Sequence, residues 1–174
     1  MGTIISTERL LLREIEGDDL AALGRIYSDR ECMRYYPGTK SPAEIEAWFE
    51  TLAFRSYAQH GFGLWAMVDR ISNVVIGDCG ITLQETPAGI EPEIGYHVWR
   101  EFWGKGFASE GALACRNHAL GPLKLKRVVS ITSPENIPSQ AVARRVHDRL
   151  ETYRKWLPRT SSWVERYLYI SEAP

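Results

Sequence analysis

Residues 99–110, with the sequence WREFWGKGFASE, constrain the fold more than any other part of the chain. A strand-like stretch, 90–99, precedes them, and helical spacing follows them over 108–120. Gly104 and Gly106 let backbone N–H groups turn toward one point, because no side chain obstructs them. The helix directs the positive end of its dipole to the same point. The segment therefore predicts an anion site suited to a phosphate or pyrophosphate.

Two familiar nucleotide motifs do not fit this loop. A Walker loop needs Gly-Lys followed by Ser or Thr, whereas Gly106 follows Lys105 here. The dinucleotide fingerprint needs a third glycine where this chain has Ser109, and an acidic residue about 20 positions on, where Lys124 and Lys126 lie. Basic residues there suit a ligand with more phosphate. A glycine-rich turn without a ligand is the simpler alternative, but the flanking strand and helix favour the phosphate site.

The remaining elements predict an α+β fold in one domain, 1–174. The predicted strands are 7–13, 62–68, 74–83, 90–99, 127–131 and 163–170. The predicted helices begin at 18–19, at Ser41-Pro42 (ending at Gly61), at 108 and at Asn136 (running to Leu150). A strand, a helix after the glycine loop and another strand make a βαβ unit. We therefore expect a mixed, mostly antiparallel sheet with one parallel crossover and flanking helices.

Charge and cysteine content exclude several classes of protein. The chain has 21 Lys and Arg against 22 Asp and Glu, a formal net charge of -1, which argues against a nucleic-acid binder. Cys32, Cys79 and Cys115 lie far apart, which predicts reduced thiols in a cytoplasmic protein, with Cys115 a core thiol. The scattered histidines predict no metal site. No apolar stretch approaches the roughly 20 residues of a membrane span, and we expect no secretory signal.

Six segments, in order along the chain, share sequence patterns with one family of enzymes. They are Thr7–Arg13, Gly61–Ala66, Ile76–Gly80, Glu93–Tyr96, Trp103–Glu110 and Pro134–Ser139. With these segments the chain resembles the GNAT N-acetyltransferases, and within them the RimJ/RimL-like class that acetylates the N-termini of ribosomal proteins. The resemblance covers nearly the whole chain. It implies the GNAT acyl-CoA N-acyltransferase fold and acetyl-CoA as cosubstrate.

The resemblance also implies which residues hold acetyl-CoA. Backbone N–H groups of the glycine loop would bind the pyrophosphate, Ser109 would assist, and the backbone at His97 and Val98 would run beside the pantetheine arm. Asn136 would hydrogen-bond pantetheine, although Asn is also a good helix N-cap by itself. The predicted cofactor-binding residues are His97, Val98, Trp103, Gly104, Lys105, Gly106, Phe107, Ala108, Ser109 and Asn136.

Acetyl transfer to an amine requires proton transfer, because an amine is protonated near pH 7. The resemblance favours Glu93 as the general base, since this class often has an acidic residue there. His97 has a suitable intrinsic pKa and is the alternative base. Both also fit ordinary strand residues. Ser139 would stand near the departing thiolate, or be a polar residue of a first helical turn. A strand N–H near Tyr96 would stabilise the oxyanion.

The sequence departs from the class in one place. After Ser139 the class usually continues to a Lys-Leu-Gly-aromatic turn, where this chain has residues 145–148, RVHD. Without that glycine, we expect the helix to run on toward Leu150. This region shapes the acceptor pocket in the class, so the acceptor stays open between a protein N-terminus and a small amine.

The prediction is a direct acetyl transfer from acetyl-CoA to a primary amine, by a monomer or homodimer. The alternatives are a non-catalytic acyl-CoA-binding module, or an enzyme that uses another nucleotide at the loop.

Overall fold

One mixed sheet of eight strands runs through the protein, for which a computed structural model describes residues 2–158 and 160–173. The strands are β1 (Thr3–Ser6), β2 (Leu10–Glu14), β3 (Leu64–Asp69), β4 (Val74–Thr86), β5 (Gly89–Val98), β6 (Arg127–Thr132), β7 (Arg149–Leu157) and β8 (Ser162–Glu172). The helices are α1 (Asp19–Ser28), α2 (Pro42–Phe49), α3 (Arg55–His60), α4 (Phe107–Leu120) and α5 (Ile137–Val146). A π-helical turn, Glu50–Phe54, joins α2 to α3, and a 3₁₀ turn, Arg100–Phe102, precedes α4.

The sheet contains one parallel contact. Its strand order is β1-β2-β3-β4-β5-β6-β8-β7, and the neighbours are antiparallel except β5 and β6 in the described part of the chain. Those two strands pair only at Glu93 and Val129 among the described residues, and α4 makes the crossover between them. The predicted α+β fold, with a mostly antiparallel sheet, one parallel crossover and flanking helices, is confirmed.

Both faces of the sheet are covered at its centre. All six residues of β3 are buried, and alternate side chains enter two different hydrophobic clusters. Trp65 and Met67 pack in the cluster that includes α4. Leu64, Ala66 and Val68 pack in the cluster that includes α1 and α2. The strands that carry the site therefore rest on a core that is packed from both sides.

The helix predicted to begin at Ser41 does so, with a capping box. The Ser41 Oγ accepts from the Glu44 N–H at 3.4 Å, and the Glu44 carboxylate accepts from the Ser41 N–H at 2.7 Å. Gly61 ends α3 in the left-handed conformation at φ 74°, as expected of a terminating glycine. The predicted single helix is interrupted by the π-helical turn, for which the sequence pattern gives no signal.

The prediction that the last helix continues to Leu150 is wrong. Helix α5 ends at Val146, and His147 adopts an extended conformation. The buried His147 side chain bonds the hydroxyl groups of Ser130 on β6 and Ser171 on β8, at 3.0 and 3.1 Å. These contacts turn the chain back to the sheet, where β7 pairs along β8 and forms a strand that the sequence analysis did not predict.

The strand predicted over 7–13 is only partly a strand: residues 7–9 form a tight turn between β1, which was not predicted, and β2. The Thr7 hydroxyl accepts from the Leu10 N–H at 2.9 Å, and the Thr7 N–H donates to the Leu10 carbonyl at 2.9 Å. This pairing reverses the chain between β1 and β2. It also places the turn beside the N-terminal end of α4, where Thr7 bonds Glu110.

The three cysteines are free thiols. Cys79 on β4 and Cys115 on α4 are buried in the same cluster, and their Sγ atoms lie 3.5 Å apart. The hydrogen bond between them and the burial raise the pKa of the Cys79 thiol. The prediction that Cys115 is a core thiol is confirmed. Within residues 2–158 and 160–173, no helix combines the length and apolarity needed to cross a membrane.

Gly80 marks a place where two backbone segments nearly touch. A Cβ there would lie 2.1 Å from the Gly63 carbonyl oxygen, so Gly80→Ala must push β3 and β4 apart. We expect this substitution to lower the free energy of unfolding by about 1–3 kcal/mol, measured by urea denaturation. Gly24→Ala in α1 is the control: its Cβ would meet Ile45 at an ordinary 3.8 Å. Helix propensity should then raise stability by about 0.5–1 kcal/mol. Equal destabilisation by both would contradict this interpretation.

Candidate active site

The glycine loop has the backbone geometry that an anion site requires. Gly104 and Gly106 lie at φ 72° and 83°, in the left-handed region that other residues rarely adopt. Helix α4 begins at the next residue, Phe107. The N–H groups of its first turn have no partner within the helix, and the helix dipole adds partial positive charge at the same end. An anion that approaches this loop meets backbone donors.

Arg9, which the sequence analysis did not single out, braces the loop from the start of β2. Its guanidinium donates to the Lys105 carbonyl at 2.8 Å and pairs with the Glu110 carboxylate at 2.6 Å. It also lies 4.7 Å from the centre of the Phe107 ring. Although burial raises the pKa of Glu110, hydrogen bonds from Thr7 and Arg9 lower it below its ordinary value overall. The loop is therefore tied to the N-terminal hairpin by an ionised carboxylate.

A cavity of about 570 Å³ extends from this loop along β5 to the start of α5. It is lined by nine of the ten predicted cofactor residues: His97, Val98, Trp103, Gly104, Gly106, Phe107, Ala108, Ser109 and Asn136. Lys105 does not line it, and its ammonium lies 4.9 Å from the centre of the Phe102 ring. The Trp103 indole N–H donates to the Val98 carbonyl at 2.7 Å, which ties the loop to the end of β5.

Arg145 lines the same cavity and lies in the segment that departs from the family pattern. Its guanidinium donates to the Ser109 hydroxyl at 3.4 Å, so a positive charge stands above the first turn of α4. The sequence pattern marks this segment as unusual but gives Arg145 no role. Arg145 could have been found from its place on the same short helix as Ser139, since both residues line the cavity.

Asn136 and Ser139 meet at the start of α5. The Asn136 side-chain oxygen accepts from the Ser139 N–H at 3.1 Å, so the expected N-cap is present. The Ser139 Oγ lies 2.9 Å from the Tyr96 hydroxyl, which donates to the Ser139 carbonyl at 3.0 Å. Burial raises the pKa of Tyr96, so this hydroxyl stays protonated. Tyr96 therefore fixes the first turn of α5 against β5.

Glu93 lies at the one residue where β5 pairs with β6. Its carboxylate accepts from the Ile131 N–H at 3.2 Å and from the Thr82 hydroxyl at 3.4 Å. Burial raises its pKa to about 7, against the smaller opposing effects of these hydrogen bonds and of the charges on Lys155 and His97. A carboxyl group in this state exchanges protons near neutral pH, as a general base must.

His97 packs against Tyr27 of the cluster that includes α1 and α2, with their ring centres 4.8 Å apart, and takes part in a polar cluster there. Its Nδ1 lies 3.0 Å from the Asp78 carboxylate and 2.9 Å from the Tyr27 hydroxyl. Its Nε2 lies 2.7 Å from the Tyr36 hydroxyl. The sequence analysis weighed His97 as a base but did not find its three partners, which come from separate elements of the fold.

A second cavity, of about 460 Å³, adjoins the first. It is lined by residues 34–36, 133–135 and 164–166. Residues 34–36 line both cavities, and 133–135 lead directly into the start of α5. The two spaces therefore meet at the segment that carries Tyr36. Such an arrangement suits two ligands that react with each other at a shared boundary.

Across the described residues, no group of three or more His, Cys, Asp or Glu side chains is positioned to hold a metal ion.

The chain belongs to the GNAT acetyltransferases. The model of the family described as the acetyltransferase (GNAT) domain matches residues 9–147, which include the glycine loop, β4, β5 and α5. This membership makes the protein an N-acetyltransferase by class, with acetyl-CoA as the acetyl donor that the family uses. The superfamily expected from the sequence motifs is confirmed.

Two bacterial relatives and one solved structure extend the comparison. The uncharacterized protein YkkB of Bacillus subtilis (strain 168) is 31% identical over 156 residues, 88% of this chain and 90% of YkkB. The uncharacterized N-acetyltransferase YnaD of the same organism is 29% identical over 166 residues, 95% and 94% of the two chains. A structure of RimL, the ribosomal L7/L12 alpha-N-protein acetyltransferase in complex with coenzyme A, has a TM-score of 0.77 at 19% identity, covering 99% and 98%. At 19% identity, the likeness to RimL shows a shared fold and no more.

Gly106 provides a direct test of the loop. A valine there would hold a β-branched side chain at φ 83° and bring its Cβ to 3.4 Å from the Arg9 guanidinium. We expect Gly106→Val to weaken coenzyme A binding at least about tenfold, measured by calorimetry, which is about 1.4 kcal/mol of binding free energy.

The control is Gly89→Ala in the β4–β5 turn, at φ 113° with open space around it. It introduces backbone strain of the same kind far from the loop, so coenzyme A affinity should stay at the unsubstituted value. An unchanged affinity in Gly106→Val would remove the assignment of the loop.

Proposed function

We propose that the protein transfers the acetyl group of acetyl-CoA directly to a primary amine, with the reaction at the junction of the two cavities. One observation carries this proposal: residues 34–36 line both the cavity that starts at the glycine loop and the second cavity, so the two cavities adjoin at that segment. A cosubstrate in the first and an acceptor in the second would bring thioester and amine together without a covalent enzyme intermediate.

The first cavity suits acetyl-CoA. The pyrophosphate would lie on the backbone N–H groups from Trp103 to Ala108, where the left-handed glycines and the start of α4 present donors. Ser109 and Arg145 would add side-chain contacts to phosphate oxygens. The pantetheine arm would then follow His97 and Val98 on β5, with Asn136 on the opposite wall.

The separation of β5 from β6 makes room for the reacting thioester. Beyond Glu93 toward Val98, β5 has no strand partner on its β6 side in the described part of the sheet. Backbone N–H groups near Tyr96 on that side are therefore open to the carbonyl oxygen of the thioester and to the oxyanion that forms from it. Ser139 would stand close to the departing thiolate and donate a hydrogen bond to it.

Glu93 is the proposed general base. An acceptor ammonium must lose one proton before its nitrogen can attack, and a second as the amide forms. Glu93 would accept one of them, directly or through a water molecule. Glu93 itself lines neither cavity, but its charge, after burial, raises the pKa of Tyr36, which lines both.

We propose a protein N-terminus or a small amine as acceptor, and a RimJ/RimL-like subtype in a cytoplasmic setting. The sequence segments quoted above support the subtype, and RimL, a structural neighbour, is an alpha-N-protein acetyltransferase. The second cavity carries charges of both signs from Arg34, Glu135, Glu165 and Arg166. The three free thiols support the cytoplasmic setting.

The proposed activity is tested by free-thiol release from acetyl-CoA across amines, amino acids and N-terminal peptides. We expect release that depends on a primary amine and saturates with it. Coenzyme A binding without thiol release over the whole panel would instead indicate a non-catalytic acyl-CoA-binding module. In a thermal-shift comparison, stabilisation by NADPH or ATP and none by acetyl-CoA would refute the proposal.

Glu93→Gln tests the general base, because the amide cannot accept a proton. We expect kcat to fall on the order of 10²–10⁴-fold. In the unsubstituted enzyme a carboxylate base works only when ionised, so kcat/KM should fall as the pH drops below about 7. That decline should be absent from the residual activity of Glu93→Gln.

A stability measurement distinguishes the loss of the base from the loss of the folded state. The raised pKa means that the folded state holds the Glu93 proton more tightly than the unfolded chain does, so the stability that this proton provides is lost as the pH rises from about 4.5 to about 7. Glu93→Gln should therefore be at least as stable as the unsubstituted protein at pH 8. Full activity in this variant would exclude Glu93 as the base.

A further inference from the structure

A continuous chain of hydrogen bonds leads from the cavity junction into the core. The Tyr36 hydroxyl lies 2.7 Å from His97 Nε2, and His97 Nδ1 lies 3.0 Å from Asp78 Oδ1. The Tyr27 hydroxyl donates to Asp78 Oδ2 at 2.9 Å and lies 2.9 Å from the same His97 nitrogen. Four side chains from the α1 helix, the segment after it, β4 and β5 thus share one network.

The network allows one protonation pattern when Asp78 is ionised and His97 is neutral. A carboxylate can only accept, so His97 Nδ1 must carry the proton that it shares with Asp78. The other ring nitrogen, Nε2, is then an acceptor, and the Tyr36 hydroxyl must donate to it. The Tyr27 hydroxyl donates its proton to the second Asp78 oxygen, so the Tyr27 oxygen also lies near the proton on His97 Nδ1. Each donor in the chain has an acceptor.

Solvent exposure of the side chains changes sharply along this hydrogen-bond network. Tyr27 and Asp78 are 0% exposed, whereas Tyr36 is 40% exposed and lines both cavities. The hydroxyl end of Tyr36 is enclosed, and burial followed by the charges of Glu93 and Asp78 raises its pKa. Tyr36 therefore remains a neutral hydroxyl that donates to His97, in a residue that lines both cavities.

We propose that Tyr36 is a further catalytic residue, which passes a proton from the acceptor ammonium to His97, and that Asp78 and Tyr27 position His97 for this transfer. This inference rests on the proposed acetyl transfer. The Tyr36 oxygen takes a proton from the ammonium while the Tyr36 proton moves to His97 Nε2. The products are a neutral amine, a neutral Tyr36 and an imidazolium beside the Asp78 carboxylate.

The remaining steps return every group to its starting state. The amine nitrogen bonds the thioester carbon, the C–S bond breaks, and Glu93 takes the second proton from nitrogen. The thiolate takes one proton from the imidazolium by the reverse path through Tyr36, and Glu93 releases the other to solvent. Overall, an ammonium and acetyl-CoA give an amide, coenzyme A thiol and one free proton.

The buried Asp78 carboxylate is the reason that the path ends at His97. A charge removed from water is costly unless it is paired, and Asp78 has neutral donors from Tyr27 and His97 while the histidine is neutral. Proton transfer to His97 creates the opposite charge directly beside it.

A double-mutant cycle on thiol release tests this relay. We expect Tyr36→Phe and His97→Gln each to lower kcat on the order of 10²-fold, with the dissociation constant of coenzyme A unchanged. Because the two residues act as one unit, the double variant should be no slower than the slower single variant. Combining Tyr36→Phe with Glu93→Gln should instead multiply the two losses, since these residues handle different protons.

Matched controls use the same substitutions outside both cavities. Tyr167→Phe on β8 and His60→Gln at the exposed end of α3 should retain the unsubstituted kcat. Thermal unfolding of all variants shows whether each is folded. Unchanged kcat in Tyr36→Phe, or losses that multiply when Tyr36→Phe is combined with His97→Gln, would overturn the relay while leaving acetyl transfer intact.

Nitrogen NMR of the histidine side chains gives a readout that does not depend on activity. We expect His97 to show a protonated Nδ1 and an unprotonated Nε2, and the Nε2 resonance to shift in Tyr36→Phe. A protonated Nε2 in the neutral ring would overturn the proposal. If the unsubstituted protein binds coenzyme A but releases no thiol with any amine, the proposed function fails and the relay's catalytic role fails with it. The NMR result still decides the hydrogen-bond chain.

Discussion

The single ladder pair between β5 and β6 is the constraint on which the rest of the site depends. Two parallel strands that paired along their length would close the sheet, whereas these pair only at Glu93 and Val129 in the described chain. Past that point the end of β5 is left unpaired on its β6 side among the described residues. The cavity is lined there by the end of β5 and by the first turns of α4 and α5.

The position of Glu93 at this branch point gives it two tasks. Its carboxylate accepts from the Ile131 N–H, a donor on β6 that has no partner on β5 once the strands part. Burial makes this hydrogen bond important for the fold, because it satisfies a polar group away from water. The same burial raises the pKa of Glu93 to about 7. The fold and the proposed chemistry therefore use one residue, whose buried carboxyl group is satisfied by hydrogen bonds from Ile131 and Thr82.

The sequence predicted the parts that depend on neighbours along the chain. The glycine loop, the start of α4 to within one residue, the cap at Ser41 and strands β3, β4 and β5 follow from local patterns, and the structure has them. The Arg9–Glu110 pair and the Tyr36–His97 contact join residues 101 and 61 positions apart, so no local spacing reveals them. Strand β7 was missed for a related reason: His147 ends α5 through two serines on distant strands.

The contacts of Thr7 and Arg9 with Glu110 and the glycine loop extend the functional part of the chain to residues before the family match. The family match starts at residue 9, yet the Thr7 hydroxyl donates to Glu110 at 2.6 Å and the turn at 7–9 presents the Arg9 backbone N–H to the same carboxylate. A fragment cut at the first matched residue would keep the central strands but lose this support of the loop. The N-terminal hairpin thus supports the loop that lines the first cavity, although none of its described residues lines that cavity.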